Sequence, residues 1–248
     1  MKKILLTSLS LILFLAVALT SCTHENVRNG RVIRNAVTDI DGNHYDAVKI
    51  GNQVWMQSNL RTTRFRDGSA IPQGSDGSCT DPNYYQSPTY DEKTYGFYYN
   101  WAAVDDASDL CPKGWHVPTD AEWTELEEYV GSKSEYVYGS DPQNIAKALA
   151  SNEGWSECRA LGTPGCEPDK NNATGFSAVP AGLCLGYYCT ISCFGYEASF
   201  WSSTEESSGY SVYCCNISDN HANVIVGPIN EFVGCSVRCV RDNKNDNN

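Results

Sequence analysis

Cysteine is the residue type that most constrains how this chain can fold. The sequence holds twelve cysteines in 248 residues, and in an exported protein such a density indicates disulfide bonds. Zinc ligation is the alternative, but no Cys-x2-Cys pair occurs and the four histidines lie far apart in the sequence. Setting Cys22 aside leaves eleven cysteines, so at least one thiol stays free or pairs between chains.

The N-terminus indicates export. Lys2 and Lys3 precede an apolar run over residues 4–19, which is short for a membrane-spanning helix of about 20 residues and has the layout of a secretory signal. The run ends in Leu-Thr-Ser-Cys at residues 19–22. This ending resembles a bacterial lipobox, in which cleavage precedes the cysteine and the cysteine is acylated. An ordinary signal peptide followed by a chance cysteine is the alternative.

Acylation of Cys22 would anchor the mature protein to a membrane, because each buried methylene contributes about 0.8 kcal/mol. We predict a lipoprotein signal peptide over 1–21, a polar tether over 22–35, one domain over 36–242 and a solvated tail over 243–248. The expected location is the bacterial envelope, with the lipid anchor in the outer membrane. The net charge of −12 without a Lys/Arg run argues against a nucleic-acid partner.

Four cysteines are candidates for disulfides: Cys111, Cys158, Cys166 and Cys239. A Cys158–Cys166 bond, which would close a short segment containing Gly and Pro, is the simplest local pairing, and the rest of the connectivity stays open. Cys214 and Cys215 are adjacent in the sequence. On a strand they would face opposite sides of the sheet and would need different partners.

Local signals predict strands first, then helices, then strands again. Asp41-Gly42-Asn43 between two apolar runs predicts a hairpin. Thr119 and Glu122 form a capping-box pattern that begins a helix ending at Gly131, and Asp141-Pro142 predicts a second helix start. Short apolar runs separated by turn residues follow Gly154, with a further hairpin at 219–221. This order predicts an α+β fold with small antiparallel sheets and long loops.

Six ordered segments resemble one family. They include Gly-Trp-His-Val-Pro-Thr at 114–119, Phe-Trp-Ser-Ser-Thr-Glu at 200–205 and Arg-Cys-Val-Arg at 238–241, with further segments at 48–60, 95–101 and 175–182. Together they resemble the Fibrobacter succinogenes major paralogous domain, which is common on exported bacterial lipoproteins. The resemblance implies a C-type-lectin-like fold, with two helices beside small antiparallel sheets and chain ends close together. It implies no reaction.

True C-type lectins bind sugars through calcium, and only a faint trace of their motif is present. Glu167-Pro168-Asp169 offers hard oxygen donors separated by proline, a ligand type that calcium prefers. The partner motif Trp-Asn-Asp is missing, and Trp201-Ser202-Ser203 stands in a comparable place. We therefore keep Glu167 and Asp169 as weak calcium candidates and predict no other metal or cofactor.

The sequence gives little support to either of two enzymatic interpretations, an oxidase and a hydrolase. Formylglycine-generating oxidases use a pair of nearby cysteines, but the spacing of Cys235 and Cys239 departs from that family's pattern. No Gly-x-Ser-x-Gly segment is present for a hydrolase, and His116 is expected in a buried hydrogen-bonding role. We therefore predict no catalytic residue and no enzymatic activity.

Binding or adhesion remains the favoured function. Candidate ligand-binding tyrosines lie in turn-rich stretches: Tyr84, Tyr85, Tyr90, Tyr187, Tyr188 and Tyr196. Exposed aromatic rings stack on sugars or anchor protein partners at low entropic cost, so the ligand is either a glycan or a protein. Two alternatives stay open: these rings pack the loops together, or the protein is a structural envelope component without a dedicated ligand site.

Overall fold

The computed structural model describes residues 30–74, 80–186, 189–206 and 211–243. The predicted signal peptide, Cys22 and most of the predicted tether lie outside these residues, as do Tyr187 and Tyr188. In the described part of the chain, no helix has both the length and the apolar character needed to cross a membrane.

The larger sheet joins the two ends of the described chain. Its antiparallel strands are β1 (Val32–Thr38), β2 (His44–Ile50), β3 (Gln53–Met56), β6 (Trp115–His116) and β12 (Val240–Arg241), in the order β1-β2-β3-β12-β6. The Asp39 carboxylate accepts the backbone N–H groups of Asp41 and Asn43, so the predicted hairpin is confirmed. β1 begins at Val32, within the last residues of the range predicted as a tether.

A second sheet has three antiparallel strands. They are β9 (Glu197–Glu205), β10 (Val212–Ser218) and β11 (Ile225–Ile229), with β10 in the centre. The adjacent cysteines of β10 face opposite sides, as predicted from strand geometry. Cys214 packs in the apolar cluster that contains Trp201, whereas Cys215 packs in the cluster that contains Phe200.

One long helix supports both sheets. Helix α3 (Asp120–Gly131) begins at the Thr119 N-cap with the complete capping box, which satisfies backbone donors at its first turn. Its inner face buries Trp123, Leu126 and Val130. The predicted boundaries of this helix are therefore confirmed.

The second predicted helix starts later than expected. Helix α4 covers only Ala146–Leu149, so the assignment of Asp141 as an N-cap was wrong. The Asp141 carboxylate accepts the N–H of Gln143 and closes a local turn, a bond that competes with helix formation. The N–H of Ala146 donates to the distant Ala222 carbonyl, so tertiary contacts set the start of this helix.

Two small two-stranded sheets lie in the irregular part of the fold. β4 (Tyr84–Tyr85) pairs with β5 (Tyr98–Tyr99), and β7 (Leu183–Leu185) pairs with β8 (Thr190–Ser192). Helix α1 (Glu92–Tyr95) precedes β5, and helix α2 (Trp101–Val104) follows it. The fold is therefore α+β and loop-rich, as predicted.

A fully buried arginine lies at the centre of the core. Arg238 donates from Nε to Asn59 Oδ1 at 2.8 Å, and from its terminal nitrogens to the carbonyls of Met56, Phe176 and Ser177. Its guanidinium also lies over the ring of Phe176, 4.8 Å from the centroid. Burial lowers the pKa of Arg238 to about 9. This one side chain connects β3, the 176–177 turn and the C-terminal segment.

Candidate functional site

Two disulfides brace the described structure. Cys111–Cys239 joins the segment before β6 to the segment before β12, and Cys184–Cys189 closes the β7–β8 hairpin. The Cys158–Cys166 pairing was wrong, because both residues keep free thiols. The N–H of Cys158 donates to the carbonyl of Gly165, so Cys158 lies opposite the residue before Cys166.

The two small sheets pack together into what we call the loop layer, comprising residues 80–99, 180–186 and 189–196. Tyr85, Tyr98, Ala181 and Cys184 form its small buried cluster. The Tyr98 hydroxyl donates to the Ala181 carbonyl at 2.5 Å and links the β4–β5 side to the β7–β8 side. The loop layer therefore has an apolar centre of its own, much smaller than the main core.

Three aromatic rings from the two sides of the loop layer meet near the surface. The Tyr90 ring stacks on Phe194 with centroids 3.4 Å apart and an interplanar angle of 4°. Tyr95 contacts both rings, with its centroid 4.8 Å from that of Phe194. Because Phe194 covers one face of Tyr90, the opposite face and the edges of the Tyr90 ring are the parts that can meet a ligand.

An open groove of about 510 Å³ lies beside Tyr90. Its walls combine this ring with amides, carboxylates, a hydroxyl and an ammonium group, from Gln73, Gln86, Ser87, Pro88, Asp91, Glu92 and Lys93. Such a volume falls within the usual range for small-molecule sites, about 300–1,000 Å³. We call this the Tyr90 groove.

Local hydrogen bonds give the groove a defined frame. The Asp91 carboxylate accepts from the Thr94 hydroxyl and caps α1 by accepting from the backbone of Thr94 and Lys93, and these bonds lower the pKa of Asp91. The Ser87 hydroxyl oxygen accepts the N–H of Tyr90. Gln86 donates to Glu92 Oε2 at 2.6 Å. Asp91 and Ser87 therefore hold the backbone, and Gln86, Glu92 and Lys93 supply polar side chains along the wall.

The tyrosines predicted from the sequence fall into different environments. Tyr85 is 6% exposed and its ring packs against Gly74, so its assignment as a ligand contact was wrong. Tyr84 is half-buried and stacks on Phe97 at 5.0 Å. Tyr196 is 55% exposed but does not line the Tyr90 groove. Of the predicted rings that the structure describes, Tyr90 alone lines the groove.

Phe194 was missed at the sequence level. Only its three-dimensional position beside Tyr90 makes it important, because the two residues are brought together by the packing of the two small sheets. The one available signal was its place in the turn-rich segment that also carries Tyr196. The polar residues that line the groove belong to no sequence motif that would have identified them.

Of the two calcium candidates, Glu167 is engaged with lysines. Glu167 Oε1 lies 2.6 Å from Lys170 Nζ, and Lys147 Nζ donates to the Glu167 carbonyl at 2.9 Å. These ammonium groups compete with a cation for the same oxygens. Within the described ranges, no group of three or more His, Cys, Asp or Glu side chains is placed to hold a metal ion.

His116 belongs to a structural ion-pair cluster. Its Nδ1 lies 2.8 Å from Asp242 Oδ1 and its Nε2 lies 2.8 Å from Glu122 Oε1. The hydrogen bond to Glu122 raises the pKa of His116 to about 9, burial opposes this shift, and Asp242 adds to it. The same Glu122 caps α3. This cluster joins the start of the helix to the end of the C-terminal strand.

The described structure is therefore an α+β domain that is braced by disulfides and carries an open polar groove in its loops. The family model of the Fibrobacter succinogenes major domain matches residues 48–241, and the chain is a member of this family. No curated protein and no solved structure matches the chain.

Proposed function

We propose that this protein is a non-enzymatic binding module of the bacterial envelope and that the Tyr90 groove takes a carbohydrate. The observation that carries the proposal is the Tyr90 ring, held in place by Phe194 beside the polar side chains of Gln86, Glu92 and Lys93. An aromatic surface next to planar hydrogen-bonding groups is the combination that a sugar ring requires.

The chemistry of each wall supports this ligand class. The apolar C–H face of a pyranose packs on an aromatic ring, which contributes a large contact area at little conformational cost. The amide of Gln86 and the carboxylate of Glu92 can share hydroxyl groups between them, because each keeps one oxygen outside their mutual 2.6 Å bond. A groove of about 510 Å³ accommodates one or two sugar rings.

The proposed location follows from the N-terminal sequence. The lipobox-like ending at Cys22 supports lipid anchoring, which would hold the domain on the outer membrane of the envelope. Replacing Cys22 by Ala in the full chain tests this point. We expect the variant to leave the membrane fraction and to lose incorporation of labelled palmitate, and unchanged fractionation and labelling would contradict the anchor.

We also propose that the domain has a C-type-lectin-like fold. It is supported by the position of β12 beside β3 in the sheet that also contains β1, which brings the first and last strands into one sheet. The resemblance described above implies this closeness of the chain ends.

A glycan array probed with the full chain, with and without calcium, tests the carbohydrate ligand. We expect a defined set of glycans to bind, and we expect Tyr90→Ala to weaken this signal strongly. Tyr138→Ala is the matched control, because Tyr138 is also an exposed tyrosine, at 43%, and does not line the groove. Absence of binding, or equal loss in both variants, would contradict the proposal.

A protein ligand is the second candidate, supported by a separate observation. Leu185 and Phe232 are exposed at 44% and 43%, and the backbone hydrogen bonds between Cys184 and Gly234 bring their segments side by side. An exposed apolar pair of this kind fits a protein surface better than a sugar. Leu185→Ser with Phe232→Ser would remove such an interaction and leave glycan binding unchanged.

A further inference from the structure

Two buried thiols lie close together in the main core. Cys214 Sγ and Cys235 Sγ are 3.9 Å apart, and the two residues are only 6% and 0% exposed. Cys214 lies on β10, and Cys235 lies in the segment that leads to β12. In the described structure both are free thiols.

The backbones that carry these cysteines are fixed by hydrogen bonds. Cys235 exchanges two backbone hydrogen bonds with Tyr99 of β5, at 2.9 and 3.1 Å. Cys214 faces Trp201 across the β9–β10 pair, and the N–H of Trp201 donates to the carbonyl of Ser236. A disulfide needs the sulfurs to approach to about 2.05 Å. The remaining gap of about 2 Å is small enough to be closed by side-chain rotation.

We propose that Cys214 and Cys235 form a further disulfide when the chain folds under oxidising conditions. In this step the two thiols give up two protons and two electrons as the Sγ–Sγ bond forms. The oxidant is a disulfide, either of a small thiol or of a thiol oxidoreductase, whose own S–S bond breaks to give two thiols. In the cell the step rests on the proposed export of the protein.

The timing of the reaction follows from burial. The thiolate is the form that attacks a disulfide, and burial raises the pKa of the Cys235 thiol well above its usual value, with Cys214 adding to the shift. Once the core has closed, the reduced pair therefore reacts slowly. The bond forms while the segment around Cys235 is still open to the oxidant.

The bond would fasten the loop layer to the three-stranded sheet. Cys235 pairs with β5, and its neighbour Gly234 exchanges two hydrogen bonds with Cys184 of β7, each at 2.8 Å. Both small sheets of the loop layer are therefore hydrogen-bonded to residues 234–235. Together with Cys111–Cys239, the new bond would fix the segment 235–239 covalently at both of its ends.

The test is to refold the reduced full chain in a buffer of reduced and oxidised glutathione. The product is denatured in excess alkylating reagent without reductant, cut with chymotrypsin and analysed by mass spectrometry. We expect peptide 214–232 to be joined to the peptide that begins at Val233. Because the oxidant is supplied, the result does not depend on export or on ligand binding.

Cys215 provides the matched control, since it is also buried but packs on the opposite side of β10 with Phe200 and Ile217. We expect Cys215→Ser to keep the cross-link and Cys214→Ser to lose it. Alkylation of both Cys214 and Cys235 in the refolded chain would overturn the proposal, as would a cross-link that persists in Cys214→Ser.

Discussion

The core around Arg238 and the loop layer around Tyr90 are ordered in different ways. The core encloses a fully buried guanidinium that has four hydrogen-bond acceptors and lies over two aromatic rings, Phe176 and Phe200. The loop layer has only a small apolar cluster, one hairpin disulfide and turns capped by Ser87 and Asp91.

Under the proposed function, this difference assigns stability to the core and ligand recognition to the loop layer. Large buried area and satisfied buried polar groups provide most of the folding free energy, so the core supplies the scaffold. The loop layer keeps half-buried rings and polar side chains at the surface, where they contribute little to folding and remain accessible to a ligand. Substitutions in the two regions should therefore affect different measurements.

The largest expected loss of stability is at Arg238. Arg238→Ala removes the donors to Asn59 Oδ1 and to the carbonyls of Met56, Phe176 and Ser177, and it opens a cavity in the core. We expect it to lower the free energy of unfolding by about 3–5 kcal/mol, measured by chemical denaturation. Arg238→Lys should recover only part of the loss, because one ammonium cannot reproduce the bonds of the guanidinium fork. A loss below about 1 kcal/mol for Arg238→Ala would contradict the central role of this residue.

The Cys111–Cys239 disulfide should have the next largest effect. It joins residues 128 positions apart, so its removal frees a long loop in the unfolded chain. For Cys111→Ser with Cys239→Ser we expect a loss of about 2–5 kcal/mol in unfolding free energy. Cys158→Ser is the control, because Cys158 is a half-buried free thiol and its replacement should change stability by less than about 1 kcal/mol. Equal losses in the double variant and in Cys158→Ser would contradict the stabilising role of the Cys111–Cys239 disulfide.

The His116 cluster predicts a smaller effect that depends on pH. The pKa of His116 is about 9 in the folded chain against an ordinary value of 6.5. Its ion pairs therefore contribute fully below about pH 6.5, and the contribution is lost as the pH rises through about 9. We expect His116→Gln to destabilise the protein at pH 6 by about 1 kcal/mol and by less at pH 9.5.

Denaturant unfolding of both proteins across this pH range measures the difference. Asp242→Asn removes one of the two carboxylates beside the ring and should move the loss to lower pH. A difference between wild type and His116→Gln that stays constant from pH 6 to pH 9.5 would show that the cluster does not hold the proton as described.

The smallest expected loss of stability is in the Tyr90 groove. Lys93→Ala removes an exposed side chain from the wall and should change the free energy of unfolding by less than about 0.5 kcal/mol. The same substitution should weaken carbohydrate binding several-fold on the array. A large loss of stability without any loss of binding would contradict the view that the core provides stability and the loop layer provides ligand binding.

Local features were predictable from the sequence and distant ones were not. The Thr119–Glu122 capping box and the Asp41-Gly42-Asn43 hairpin depend on neighbouring residues, so their chemistry is visible in the sequence. The late start of α4 depends on a bond to Ala222, and the burial of Tyr85 depends on its packing against Gly74 and within the loop layer. The same limit applies to the site: Tyr90 was recognisable, but its partner Phe194 was not.

The most direct test of the account is the affinity of Tyr90 variants for the glycan selected on the array. Titration calorimetry should show that Tyr90→Ala weakens binding about tenfold or more, equivalent to about 1.4 kcal/mol, and that Tyr90→Phe keeps most of the affinity because the ring is retained. The unfolding free energies of both variants should stay within about 1 kcal/mol of wild type. Unchanged affinity in Tyr90→Ala would show that recognition lies elsewhere on the molecule.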